Sequence, residues 1–121
     1  MKIFFVALVS IVFSVAAQFS LKAGMASAET KAALADGFAL KGVLAILTNN
    51  AVMVGFLLYG LGALVWLKVL SEWDVSKAYP MVGLGFALSM GVGLIMGDHI
   101  TFQRCLGTAI ICAGVWMVAS S

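Results

Sequence analysis

Charge is what this sequence has least of. Asp, Glu, Lys and Arg make up 10% of the 121 residues, against about a quarter in a soluble domain. Hydrophobic residues make up 64%. A chain this short cannot bury so much apolar surface in a water-soluble core. Most of these side chains must therefore be solvated by lipid. The net charge is only +2, and no basic run or aromatic-interleaved patch occurs, which argues against a nucleic-acid partner. No nucleophile–base–orienter set, Gly-rich phosphate loop or CxxC motif is visible, so catalysis has no support. His99 is the one histidine, and with Asp98 it lacks enough partners for a metal site. No cofactor is expected. Cys105 and Cys112 lie seven apart in one apolar segment. On a helix that is a rise of about 10 Å, too far for a disulfide.

What is present is a set of long apolar runs. They predict an all-α membrane bundle, one domain over residues 1–121, with four transmembrane helices. The spans fall at about Ile3–Leu21, Ala51–Leu70, Val75–Gly97 and Phe102–Ser120. Each is long enough for a hydrocarbon core of about 30 Å. Helices satisfy their backbone groups internally, as lipid requires. Between the first two spans Glu29, Lys31, Asp36 and Lys41 are scattered among alanines and leucines. Leu40, Val43, Leu44 and Leu47 share one helical face there, which predicts a short helix on the membrane surface. Asn49-Asn50 marks a break before the second span. The amino terminus also has the outline of a signal peptide, with Lys2, an apolar run and Ala26-Ser27-Ala28. That run exceeds the usual core of about 7–15 residues and reads better as a span. Orientation is undecided. Lys2, Lys68 and Lys77 fall on one side, and Lys22, Lys31, Lys41 and Arg104 on the other.

The first span carries a polar stripe. Ser10, Ser14, Gln18 and Lys22 are spaced by four, and each step drifts about 40° on a helix, so they share one broad face. Polar groups are expensive in lipid and tend to face a bundle or a wet cavity. The alternative is that the serines bond their own helix and Lys22 snorkels to the headgroups. No Asp or Glu falls inside any span, whereas a proton-driven exporter of cations needs an embedded carboxylate. The available cations are Lys22, Lys68, Lys77 and Arg104, which suit a phosphate. Trp66, Trp73, Tyr79 and Trp116 lie near span ends, where aromatic belts are normal. Trp66 and Tyr79 also suit a sugar or lipid headgroup. Pro80 bends the third span or occupies its first turn.

Small residues supply packing surfaces. Gly85, Ser89, Gly93 and Gly97 lie at steps of four on the third span, where another helix can approach closely. Gly107 and Gly114 lie seven apart on the fourth. They serve packing within the chain or contact between subunits. Four short helices enclose only a thin path, so transport favours a dimer, with the fourth span as a contact.

At these residues the chain resembles a known group. Ser14-Val15-Ala16-Ala17-Gln18, followed by Lys22-Ala23, is similar to the first helix of aminoarabinose-lipid flippase subunits. Trp66-Leu67-Lys68-Val69-Leu70 and Ala78-Tyr79-Pro80-Met81 resemble the end of their second helix and the start of their third. Gly97-Asp98-His99-Ile100-Thr101, Gly107 through Ile111, and Gly114-Val115 resemble a closing pattern spread across the drug/metabolite transporter superfamily, including the small multidrug resistance proteins. The likeness covers nearly the whole chain except about residues 25–50. Two departures stand out. Asp98 replaces the usual Glu. Aligning on Lys22 puts Ser14 where small multidrug resistance proteins carry an essential glutamate.

The resemblance implies a flippase, or one of its subunits, in the bacterial cytoplasmic (inner) membrane. Its cargo would be a polyprenyl-phosphate-linked sugar, with an amino sugar as one option. Ser14 and Gln18 would bond the head, Lys22 would hold the phosphate, and Trp66 or Tyr79 would stack on the sugar. Arg104 would receive the phosphate on the opposite side. Its partner would be a second copy or a related subunit. The alternatives are an exporter of small cations or metabolites, and an accessory subunit that only packs against a larger complex.

Overall fold

The computed structural model describes residues 2–35 and 39–121. Asp36, expected among the scattered charges of the first connection, lies outside them. The described residues are mostly helical and contain no strand. The first span is α1 (Lys2–Met25), one turn longer than the apolar run, which places Lys22 inside the helix. Two short helices follow, α2 (Ala28–Leu34) and α3 (Leu40–Thr48). The second span is α4 (Asn50–Glu72). The third is built from α5 (Val75–Ala78), a 3₁₀ turn (Tyr79–Val82) and α6 (Gly83–Ile95). The fourth is α7 (Phe102–Ala119). Among the described residues, four helical stretches are long and apolar enough to cross a membrane. At 24 residues, α1 has a length of about 36 Å.

The centre of the structure is the antiparallel pair α1 and α4. Its contact is made by small residues seven apart on both helices. Ser10, Ala17 and Gly24 on α1 are buried, as are Gly55 and Gly62 on α4. A methyl group at Gly62 would sit 3.0 Å from Phe13 Cβ and 3.3 Å from the Ser10 carbonyl. At Gly55 it would meet Leu21 at 2.7 Å and the Ala17 carbonyl at 3.1 Å. Helix association in lipid has no hydrophobic drive between spans and relies on such close backbone approach. Two serines reinforce it. Ser10 Oγ donates to the Gly62 carbonyl at 2.7 Å, and Ser20 Oγ to the Ala51 carbonyl at 2.6 Å. The sequence reading found small residues on the third and fourth spans and missed this seam.

The small-residue stripe of the third span does not form one packing surface. Gly85 does receive α1, with Ile11 and Val15 methyls 3.3 and 3.5 Å from where its Cβ would be. Gly93 instead leaves room for Asp98, whose carboxylate would lie 2.5 Å from an added Cβ. Gly97 is not helical at all. The helix ends at Ile95, and Gly97 takes φ +94°, the left-handed conformation that ends a helix at least cost in glycine. The Asp98 amide then donates to the Gly93 carbonyl at 2.8 Å, and the Gly97 amide to Leu94 at 3.3 Å. Gly107 and Gly114 have nothing within 4 Å of an added Cβ. They pack closely against none of the described residues.

Pro80 sits in the 3₁₀ turn that joins α5 to α6. Lacking an N–H, it cannot continue the helical ladder there. The break seats the fully buried Met81 against Ile11, Val15 and Val115. The fourth span packs weakly. Only 6% of its apolar window is buried, against 22–28% for the others. Leu57, Leu64, Ile110 and Met117 are each more than 60% exposed, as lipid-facing side chains should be.

The expected surface helix is present as α3, and Leu40, Val43, Leu44 and Leu47 are all exposed. Its end is fixed by Asn49. The Asn49 side chain accepts from the Val52 amide at 3.2 Å, capping α4. Its Nδ2 also donates to the Gly24 carbonyl and to Ser27 Oγ, both at 3.3 Å. Ser27 in turn caps α2, accepting from the Thr30 amide. The Ala26-Ser27-Ala28 stretch is thus a capped turn tied to α4. Asn49→Ala is expected to cost about 1–2 kcal/mol, because one cap and two long-range bonds go together. Thermal unfolding in detergent measures it. Stability equal to wild type would show that the cluster is incidental.

Candidate functional site

The polar stripe of α1 borders a cavity of about 370 Å³ between the first three spans. Ser10, Ser14 and Gln18 line it from α1. Tyr59, Gly62, Ala63 and Trp66 line it from α4. Tyr79, Val82, Gly85, Phe86 and Ser89 line it from the third span. The cavity exists because Gly62 and Gly85 bring the backbones together at its floor. The larger side chains of Trp66, Tyr59 and Phe86 then stand around it. Gln18 Nε2 donates to Tyr59 Oη, bridging α1 and α4. That bond leaves the Tyr59 hydroxyl proton and the Gln18 carbonyl available to a ligand. Ser14 forms no hydrogen bond to another described residue, so its hydroxyl is also free.

Four of the six site residues expected from sequence, Ser14, Gln18, Trp66 and Tyr79, line this cavity. Ser89, first taken as a packing residue, lines it as well. Lys22 does not. It is exposed, one turn beyond Gln18, a rise of about 6 Å. Among the described residues it has no ion pair or side-chain hydrogen bond. Two of the cations at the other end, Lys68 and Lys77, are engaged. Lys68 pairs with Glu72 at 2.9 Å, and Lys77 lies 4.6 Å from the Trp73 ring centroid.

Arg104 is not part of the cavity. Its guanidinium donates to the His99 carbonyl at 3.0 Å and steadies the turn before α7. The expectation that it waits on the opposite side is overturned by the topology. Four crossings of alternating direction put the end of α1 and the start of α7 on one face, so Lys22 and Arg104 share a side. Trp116 is 74% exposed on α7 and also lies away from the cavity.

Tyr59 and Phe86 were missed. Tyr59 carried a usable signal, because a phenol in the middle of a span needs a partner. It also lies seven residues before Trp66, which puts both rings on one side of α4. Phe86 carried no such signal, since an apolar ring in an apolar span is ordinary.

A second groove, of about 400 Å³, runs along the other side of α1. Phe5, Leu8, Val9, Val12, Phe13, Ala16 and Leu58 line it, and none of them is polar. The first helix thus separates a polar, aromatic hollow from a purely apolar one.

Fold and cavity together define a small multi-pass membrane protein with a partly polar hollow inside its bundle. No protein-family model matches the chain, and no solved structure matches it. Curated relatives do. A protein of Pseudomonas savastanoi pv. phaseolicola is 42% identical over 78 residues, covering 64% of this chain and 68% of its own. Proteins of Yersinia pestis and Yersinia pseudotuberculosis are 32% identical over 74 residues, covering 60% of this chain. The chain spans 65% of the length of those two. All three are named as probable 4-amino-4-deoxy-L-arabinose-phosphoundecaprenol flippase subunit ArnE. The chain belongs to the ArnE family of flippase subunits. The resemblance drawn from its own motifs is thereby borne out.

Proposed function

We propose that the chain is a subunit of a flippase that carries a polyprenyl-phosphate-linked sugar across a bacterial cytoplasmic membrane. One observation carries this reading. The cavity offers hydroxyls, an amide and aromatic rings, and no carboxylate. Sugars bind through that combination, with rings against their C–H faces and hydroxyls or amides on their oxygens. The polyprenyl tail stays in lipid while the sugar enters between the first and third spans. Lys22, free at the mouth, meets the phosphate as the head arrives. Trp66 and Tyr79 border the sugar, and Gln18 with Ser14 bonds its hydroxyls.

A partner subunit completes the path. α7 is exposed along most of its length, and Gly107 and Gly114 leave its backbone open to close approach. The names of the relatives, each a flippase subunit, agree with an assembly of more than one chain. The exporter of cations is disfavoured by the absence of an acid from the interior of every span.

The test is reconstitution in liposomes, with the chain alone and with a related subunit. A fluorescent polyprenyl-phosphate sugar should move between leaflets in at least one arrangement. Immobility of that lipid in both, with uptake of a cationic dye, would reverse the assignment.

A further inference from the structure

We infer that α3 is seated in the bilayer, with its aliphatic face immersed where the acyl chains of one leaflet meet the headgroups. This seat owes nothing to the cargo. It belongs to residues 26–48, inside the stretch that the family resemblance leaves uncovered.

At about 100° per residue, Leu40, Val43, Leu44 and Leu47 fall within an arc of about 100°. All four are exposed, Leu40 by 74%, Leu44 by 52% and Leu47 by 49%. Lys41 is exposed at one edge of that arc, and Gly42, on the opposite side, is buried. α2 packs against α3, and its own exposed residues include Glu29 and Lys31. One helix of the pair thus shows charge and the other shows aliphatic surface, as an interfacial element does.

Water, a second protein or lipid could cover the aliphatic face. Water would leave four aliphatic side chains hydrated, at a free-energy cost that lipid removes. A second protein would find no close seat. Helices associate in lipid on small residues, and this face has none, in contrast to the open Gly107 and Gly114 of α7. Lipid is already adjacent. A single residue, Asn49, joins α3 to α4, and α4 is long and apolar enough to span. The first turns of α4 expose Met53, Val54 and Leu57, so the face of α3 adjoins a lipid-facing surface. At nine residues α3 is about 14 Å long, too short to cross a core of about 30 Å. It can enter the boundary without spanning.

The seat is braced. Asn49 Nδ2 reaches the Gly24 carbonyl, Ser27 Oγ and Thr30 Oγ1 at 3.3, 3.3 and 3.5 Å. Thr30 is fully buried. These bonds fix α2 and α3 to the end of α1 and the start of α4. Through them an immersed α3 holds that end of the α1–α4 pair to one leaflet.

Nitroxide labels test this on the full chain in vesicles of phosphatidylethanolamine and phosphatidylglycerol. Cys105 and Cys112 are first replaced by alanine, and single cysteines then carry the label. Oxygen concentrates among acyl chains and a nickel chelate stays in water, so the ratio of the two accessibilities reports depth. Leu44→Cys and Leu47→Cys should give oxygen-to-nickel ratios at least about threefold above those of Glu29→Cys and Lys31→Cys, as immersion by about 5–10 Å requires. All four positions are exposed, and two on each helix guard against one misfolded variant. Similar ratios on the two helices, with nickel freely reaching positions 44 and 47, would put the face in water and overturn the inference. Poor access of both oxygen and nickel to those positions would mean a covering protein and overturn it equally.

Discussion

Gly62→Leu should unfold or splay the bundle, while Gly60→Leu should leave it unchanged. The two glycines are two residues apart on α4 and lie on different sides of it. An added Cβ at Gly60 meets nothing within 4 Å, because that side faces lipid. At Gly62 it meets Phe13 Cβ at 3.0 Å and the Ser10 carbonyl at 3.3 Å. Neither can swing away, since a Cβ and a carbonyl are fixed to the α1 backbone. The helices must separate, and the Ser10–Gly62 hydrogen bond goes with them. Overpacking costs roughly 1–3 kcal/mol and the lost bond about 1 kcal/mol more. Flipping should fall with stability, because Ser10 and Gly62 form the floor of the cavity. Thermal unfolding in detergent reads the first effect and a liposome assay the second. Matching unfolding temperatures for the two variants would refute the glycine seam.

Gln18→Leu should reduce flipping of a sugar-phosphate lipid at least about tenfold while costing little stability. Gln18 is exposed to the cavity side, and its visible partner is the Tyr59 hydroxyl. Leucine fills similar space and is at home in a lipid-facing helix, so the fold should survive. The cavity, however, loses the amide and frees the Tyr59 oxygen. Tyr59→Phe should show a similar loss, and the double variant should be no worse than either single one if the pair acts as a unit. Lys22→Met should have a smaller effect, because Lys22 is exposed and does not line the cavity. An accessory subunit that only packs would tolerate all three changes. Wild-type flipping by the Gln18→Leu protein would decide for that role.

The polar stripe shows how much of the site could be read without coordinates. Ser10, Ser14 and Gln18 face a hollow, as their spacing and the cost of polarity in lipid imply. Lys22 follows the same spacing yet falls outside. Three steps of about 40° separate it from Ser10 round the helix, and it lies one turn beyond Gln18. Trp66 and Tyr79 were legible from the chemistry of a headgroup site. Tyr59 was hidden only because no partner for it is near in sequence: Gln18 is 41 positions away.

The sequence alone determined the solvent, the number of spans and the absence of embedded acid. These follow from local composition, since a run of about twenty apolar residues has no stable place except lipid. It also determined that α3 would show an apolar face. Only the tertiary structure decided which glycines carry the packing, because small residues occur on every span. Gly55 and Gly62 are buried against α1, whereas Gly107 and Gly114 are open, and no local pattern separates the two pairs. It likewise decided where the third span ends, through the left-handed turn at Gly97, and which polar groups meet across the hollow. Both depend on contacts between residues far apart in the chain, which spacing along one helix does not encode.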